Sequence, residues 1–385
     1  MQKKSSLFIF LLIVTAFAFG GMLPLSLQRG FLALSLSLKS VLLFFLPILI
    51  FSLLFCTFQR LGRSASGMLF SAIFFVCCSN FLATFLSHYV GEFVHSMNLE
   101  MIQPATGCEL TPLFILQLPR LISTIYALVA GIGCGLVVPW LFPTLSQRMG
   151  VALDAVVVQL LRWIAPIIPP FLFGFLIKMR HDGMLMSLLR NYAPVVAILC
   201  LSLTVYLTLF YFTACGFRPR KVIHCLRNMI PAVICAFSSM SSAAAMPYTL
   251  AAVEKNTTHK FLGRSIVSMT TNIHLIGDCI SIPILIYAIL GSHGIAMPSM
   301  ALYCIFAVQF VLAKFSVAAI PGGGIMVMLP IIERVFAFDE MMASLIFSLY
   351  ILLDPLCTAA NVLGNGAFAQ LMDAIVPRRT GKHGV

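Results

Sequence analysis

Apolar residues run along this chain in blocks too long for the core of a soluble domain. Crossing roughly 30 Å of hydrocarbon takes about 20 apolar residues in a helix. Blocks of that kind lie near 7–27, 35–58, 67–90, 113–142, 153–177, 192–215, 262–289 and 342–371. The pattern predicts an all-α polytopic membrane protein. Two further apolar stretches, near 222–253 and 301–335, are too interrupted to cross simply. Backbone that leaves the helix at membrane depth survives only where protein or a wet cavity satisfies its peptide groups, and such breaks point to a transporter's binding site.

The first interruption reads Ser238-Ser239-Met240-Ser241-Ser242-Ala243-Ala244-Ala245-Met246-Pro247. Proline removes a backbone donor and disfavours helix in the residue before it, so the stretch suits the tip of a re-entrant hairpin. Hydroxyls and free N–H groups at a helix N-terminus suit a carboxylate. A close helix crossing built from small residues is the alternative reading. The second interruption, Ala319-Ile320-Pro321-Gly322-Gly323-Gly324, carries three consecutive glycines that would weaken a packing helix. They suit a mobile gate, and no following Lys-Ser/Thr completes a phosphate loop.

In the last block Asp354, Thr358, Asn361 and Asn365 are spaced four, three and four apart, one stripe of a single helix. A carboxylate at the bilayer centre costs roughly 2.5–3.5 kcal/mol on insertion scales, so Asp354 is expected to face a cavity and meet a cation, an ammonium group or a proton. Polar contacts that glue helices together are the structural alternative.

Composition agrees with a membrane protein. Of 385 residues 61% are hydrophobic and 9% charged, with a mean hydropathy of +1.04, which leaves too little polar surface for a soluble domain. The net charge of +12 would suggest nucleic acid in a soluble protein, but here the basic residues sit at span ends, and no nucleic-acid partner is expected. Lys3, Lys4, Arg60, Arg63, Arg148, Arg218, Arg220, Lys221, Arg378, Arg379 and Lys382 fall at alternate ends, which places both termini in the cytoplasm of a multi-pass inner (plasma) membrane protein. Residues 64–118 hold no Lys or Arg but carry Glu92, Glu100 and Glu109, so that loop faces outward; Arg29, Lys178 and Arg180 depart from the pattern. Lys3-Lys4 and the Ala16-Phe17-Ala18 step mimic a signal peptide, yet the apolar run continues to Leu27, and an uncleaved first helix is expected. Twelve Cys and eight His are scattered without ligand spacing, so neither a metal nor a cofactor is expected.

Three motifs carry a resemblance to the dicarboxylate/amino acid:cation symporter family, the glutamate transporter homologues. Ser241-Ser242-Ala243-Ala244-Ala245-Met246-Pro247-Tyr248-Thr249-Leu250 is similar to the family's serine-rich first hairpin. Ala319 to Gly324 resembles the tip of the second, and Asp354-x-x-x-Thr358-x-x-Asn361-Val362-x-Gly364 matches the last helix. The resemblance implies eight transmembrane helices, two re-entrant hairpins (222–253 and 301–335) in an inverted-repeat fold, and a homotrimer. It divides the chain into 1–217, mostly scaffold and trimerisation helices with helices 3 and 6 joining the moving part, and 218–385, the core of a transport domain that slides like an elevator and includes helix 7 (262–289) and helix 8 (342–371).

By the same resemblance, Asp354 falls where the family binds an α-amino group, and Asn361 and Ser242 where it binds the α-carboxylate. Ser241 and Thr358 complete the substrate set, and Pro321, Gly322, Gly323 and Gly324 form the gate. Cys357 stands where transporters of acidic substrates hold Arg, and a second substrate carboxylate would be buried unpaired, so a small neutral amino acid is expected rather than a dicarboxylate. The family's Asn-Met-Asp-Gly-Thr in an unwound seventh helix reads His274-Leu275-Ile276-Gly277-Asp278 here, and a further sodium-coordinating aspartate is Asn365. Asn272, His274, Asp278, Asn361 and Asn365 are the residues of ion coupling, to Na+ or H+, with His274 either titrating or simply hydrogen-bonding inside the bundle. A channel, a transport-inactive relative and an intramembrane enzyme are the competing readings; for the last, His274 and Asp278 lack a recognisable third partner.

Overall fold

Long apolar blocks form long helices because, away from water, a helix is the element that satisfies every peptide group within itself. The computed structural model of the chain describes residues 15–16, 19–63, 67–97, 99, 110–119, 122–317 and 322–375. Every regular element among them is helical. In order they are α1 (Leu25–Arg63), α2 (Gly67–Ser96), α3 (Thr124–Leu141), α4 (Pro143–Ile164), α5 (Ile168–His181), α6 (Met184–Ala214), α7 (Pro219–Ser239), α8 (Ser242–Asn256), α9 (Lys260–Thr270), α10 (Ile276–Ser292), α11 (Met300–Ala313), α12 (Gly323–Val335) and α13 (Glu340–Ile375). Among the described residues, six helices are long and apolar enough to cross a membrane. The protein is a multi-pass membrane protein.

The helices pack in two groups. In the first, α1 lies against α3, α4 and α5, held by close backbone approaches: Gly131 and Gly135 of α3 meet the backbone of Phe51 and Phe55, and Gly174 of α5 meets that of Phe31. In the second, α10 is buried along nearly its whole length between α2, α6 and α13, and α13 also packs on α7, α8 and α9. Rings join the groups, Phe58 to Phe315 at 5.6 Å and Phe171 to Phe347 at 4.7 Å.

Several predicted spans are rearranged. The block near 262–289 is two helices, α9 and α10, separated by non-helical residues 271–275. A side chain takes over the lost backbone bonds there: Asn80 of α2 donates to the Ile273 carbonyl at 2.7 Å and accepts from the Leu275 N–H at 3.3 Å. The block near 113–142 is helical only from Thr124. Before it, a non-helical stretch runs along α1, its N–H groups met by Asp182, Ser37 and Ser40. The block near 153–177 begins earlier, at Pro143, and breaks into α4 and α5 across the short 3-10 turn Ala165–Ile167. The blocks near 35–58, 67–90, 192–215 and 342–371 lengthen into α1, α2, α6 and α13. The first, near 7–27, falls largely outside the described residues.

Two helix pairs occupy the interrupted stretches. In the first, α7 ends at Met240, whose φ of 50° turns the chain in the left-handed region, and α8 returns with Ser241 as its N-cap, accepting from the Ala244 N–H. In the second, α11 ends in a 3-10 turn, Lys314–Ser316, and α12 leaves from Gly322, at φ 71°. The predicted gate residue Pro321 lies outside the described residues.

Candidate functional site

The two pairs, the 271–275 break and the middle of α13 meet around a small cavity. It is lined by Met240 and Ser242 from the first tip, Thr271, Asn272 and Leu275 from the break, and Asp278 from the first turn of α10. Val317 and Gly324 line it from the second pair, and Tyr350, Asp354, Thr358 and Asn361 from α13. Its volume of about 30 Å³ holds roughly two waters, since one water needs about 10–15 Å³ by the same measure. The N-termini of α8, α10 and α12 all reach this cavity, and helix N-termini carry partial positive charge and unpaired N–H groups.

The last-helix stripe is held where its chemistry requires. Asp354 is buried; one carboxylate oxygen accepts from the Gly322 N–H at 2.8 Å and the other from the Thr358 hydroxyl at 3.0 Å. The acid thus fixes the turn that starts α12. Asn361 bridges α13 to α10, accepting from the Gly277 N–H at 2.8 Å and donating to Asp278 at 3.2 Å.

Asp278 is the second acid. One of its oxygens also accepts from the Tyr350 hydroxyl at 2.8 Å, and the other faces the Lys314 ammonium at 3.3 Å. Neither Tyr350 nor Lys314 stood out in the sequence. Tyr350 resembles an aromatic filler, but a lone lysine deep in the apolar stretch of 301–335 was the available signal, because an ionisable residue at such depth marks function by default. Gly324 explains one of the three glycines: a Cβ there would lie 2.5 Å from the Tyr350 oxygen and 2.6 Å from Asp278. Only a residue without a side chain lets α12 close on the acid.

Other predicted site residues are placed elsewhere. Ser241 serves the backbone of α8 as its cap. Cys357 is buried and turned toward α10, where its thiol reaches the Ser281 hydroxyl at 3.1 Å; it is absent from the cavity lining. Asn365 donates to the carbonyls of Asn361 and His274, at 2.9 and 3.4 Å. His274 is buried outside the cavity, its ring nitrogen 2.9 Å from the Ser79 hydroxyl and its ring tilted against that of Phe368, 4.7 Å between centres. Asn272, by contrast, lines the cavity.

A model of the sodium:dicarboxylate symporter family matches residues 6–375, nearly the whole chain. The chain belongs to that family. A Caenorhabditis elegans protein described, provisionally, as the sodium-dependent excitatory amino acid transporter glt-6 is 23% identical over 235 residues, 60% of this chain and 42% of the relative. The human neutral amino acid transporter B(0) is 26% identical over 234 residues, 58% of this chain and 41% of its own. The chain therefore matches about two fifths of the length of these curated relatives. The family and these relatives are transporters, not enzymes.

Proposed function

We propose that this chain is a secondary active transporter that carries a small neutral amino acid through the membrane by cation-coupled symport. The observation that carries the reading is the pairing of Asp354 with a cavity reached by three helix N-termini: an acid for an ammonium group, and N–H donors with Ser242 and Asn361 for a carboxylate. Among the described residues, Asp278 and Asp354 are the only charged ones in that lining, so a second substrate carboxylate would find no guanidinium there and would be buried at high cost. The human relative's name, a neutral amino acid transporter, favours the same choice over a dicarboxylate.

The two packed groups support an elevator movement in which α1, α3, α4 and α5 form the scaffold, within a homotrimer, and the remaining helices travel with the substrate. The pairs α7–α8 and α11–α12 are then re-entrant hairpins, the second acting as gate, in a protein of the inner membrane with cytoplasmic termini. The coupling ion is Na+ or H+.

Uptake into proteoliposomes across an amino acid panel, with sodium and proton gradients imposed separately, tests this. Serine, alanine or cysteine should be accumulated and glutamate should compete poorly. Stronger inhibition by glutamate would refute the substrate class. Dissipation of gradients without counterflow would turn the reading to a channel.

A further inference from the structure

Lys314 has no path for its charge to water. Lysines near helix ends usually extend their ammonium into the interface, but this residue is 0% exposed. Its Nζ stands 3.3 Å from Asp278 and 4.1 Å from the centre of the Phe310 ring, an electrostatically favourable position for a cation over an aromatic face. The backbone explains the placement. The turn Lys314–Ser316 closes the first arm of the second pair, and Phe315 packs on Phe58 of α1, so the lysine is aimed at α10 from the base of the gate.

Lys314 offsets one of the two carboxylates at the cavity without a free ion. Two carboxylates, Asp278 and Asp354, face one ammonium, Lys314, leaving one uncompensated negative charge. Asp278 is already surrounded by Lys314, Tyr350 and Asn361, whereas Asp354 holds only neutral donors. The remaining charge belongs to Asp354, which is left for the ammonium of the proposed substrate; the zwitterion's own carboxylate goes to the N–H donors, so binding leaves the net charge of the site unchanged.

We infer that the Lys314 ammonium is the resident cation of the Asp278 position, tethered by the chain, so that this carboxylate stays buried without a free sodium ion beside it. The inference rests on the transporter reading for its meaning but not for its test. A buried carboxylate stripped of its partner is left as an uncompensated charge, so an external cation becomes necessary only when Lys314 is removed.

The experiment is thermal unfolding of the purified full chain in lipid nanodiscs, in sodium chloride and in choline chloride at equal ionic strength. The wild type and Lys314→Arg should show the same difference between the two salts, one that Asp278→Asn leaves unchanged. Lys314→Ala should lose several degrees in choline, and sodium or methylammonium should restore them saturably. A saturable sodium stabilisation of the wild type that Asp278→Asn abolishes would overturn the inference. So would a Lys314→Ala protein indifferent to both cations. Should Lys314→Ala not be recovered folded, the wild type, Asp278→Asn and Lys314→Arg decide, because a sodium requirement in Lys314→Arg contradicts a sufficient tethered charge. The readout uses neither substrate nor transport, so failure of the amino acid panel and failure of this test are separate results.

Discussion

The two helix pairs have the same outline and opposite dependence. The tip of α7–α8 satisfies itself: Met240 takes the left-handed turn, and Ser241 caps its own helix through the Ala244 N–H. The tip of α11–α12 is held from outside. Its Gly322 N–H bonds Asp354, its Lys314 pairs with Asp278, and Gly324 has no side chain where one would strike Tyr350 and Asp278. The first tip is bonded within itself, and the residues flanking the second are bonded to the acids of the site.

Substitutions sharpen or break this contrast. The largest effect is expected from Asp354→Asn, which keeps the shape but removes the charge that meets the ammonium. Truncating one partner of a buried charge pair costs about 2–5 kcal/mol, so binding should weaken by roughly 30-fold or more, as measured with a labelled amino acid that the uptake panel identifies. Next comes Gly324→Ala, where overpacking costs about 1–3 kcal/mol. Affinity should fall about tenfold while the yield of folded protein by size-exclusion chromatography is unchanged.

Ser241→Ala removes a cap worth about 1 kcal/mol. It should lower the unfolding temperature by a few degrees and change affinity less than about threefold; an affinity loss as large as that of Gly324→Ala would erase the distinction between the tips. The smallest effect belongs to Met240→Gly. Glycine relieves a left-handed residue of about 1 kcal/mol or more but frees the unfolded chain by a similar amount, so the unfolding temperature should move by no more than a degree or two. Gly322→Ala, at a φ of 71°, should in contrast destabilise the closed tip and weaken binding severalfold.

Much of this was legible in the sequence because polar residues are conspicuous against lipid-facing apolar runs. The stripe of Asp354, Thr358 and Asn361, the serine tip and the glycine tip all stood out by residue type and spacing alone. What stayed hidden depends on partners distant in the chain. For the break at 271–275, which the resemblance to an unwound seventh helix had announced, the hidden partner is Asn80 on another helix, which takes over the lost backbone bonds. Cys357 lies between two cavity residues in sequence, but one step of helical rotation turns it to Ser281. Lys314 is conspicuous in its apolar stretch, but its partner Asp278, 36 residues earlier, is not legible there.

Gly277 and Cys357 touch backbone to backbone: a Cβ on Gly277 would collide with the Cys357 carbonyl. With Asn361 clasping the Gly277 N–H one turn further on, α10 and α13 have no compressible layer between them. The floor of the chamber is therefore a rigid plate, and room for a bulkier cargo cannot be made by pushing those helices apart. Any enlargement of the cavity would have to come from its other walls, through shorter side chains.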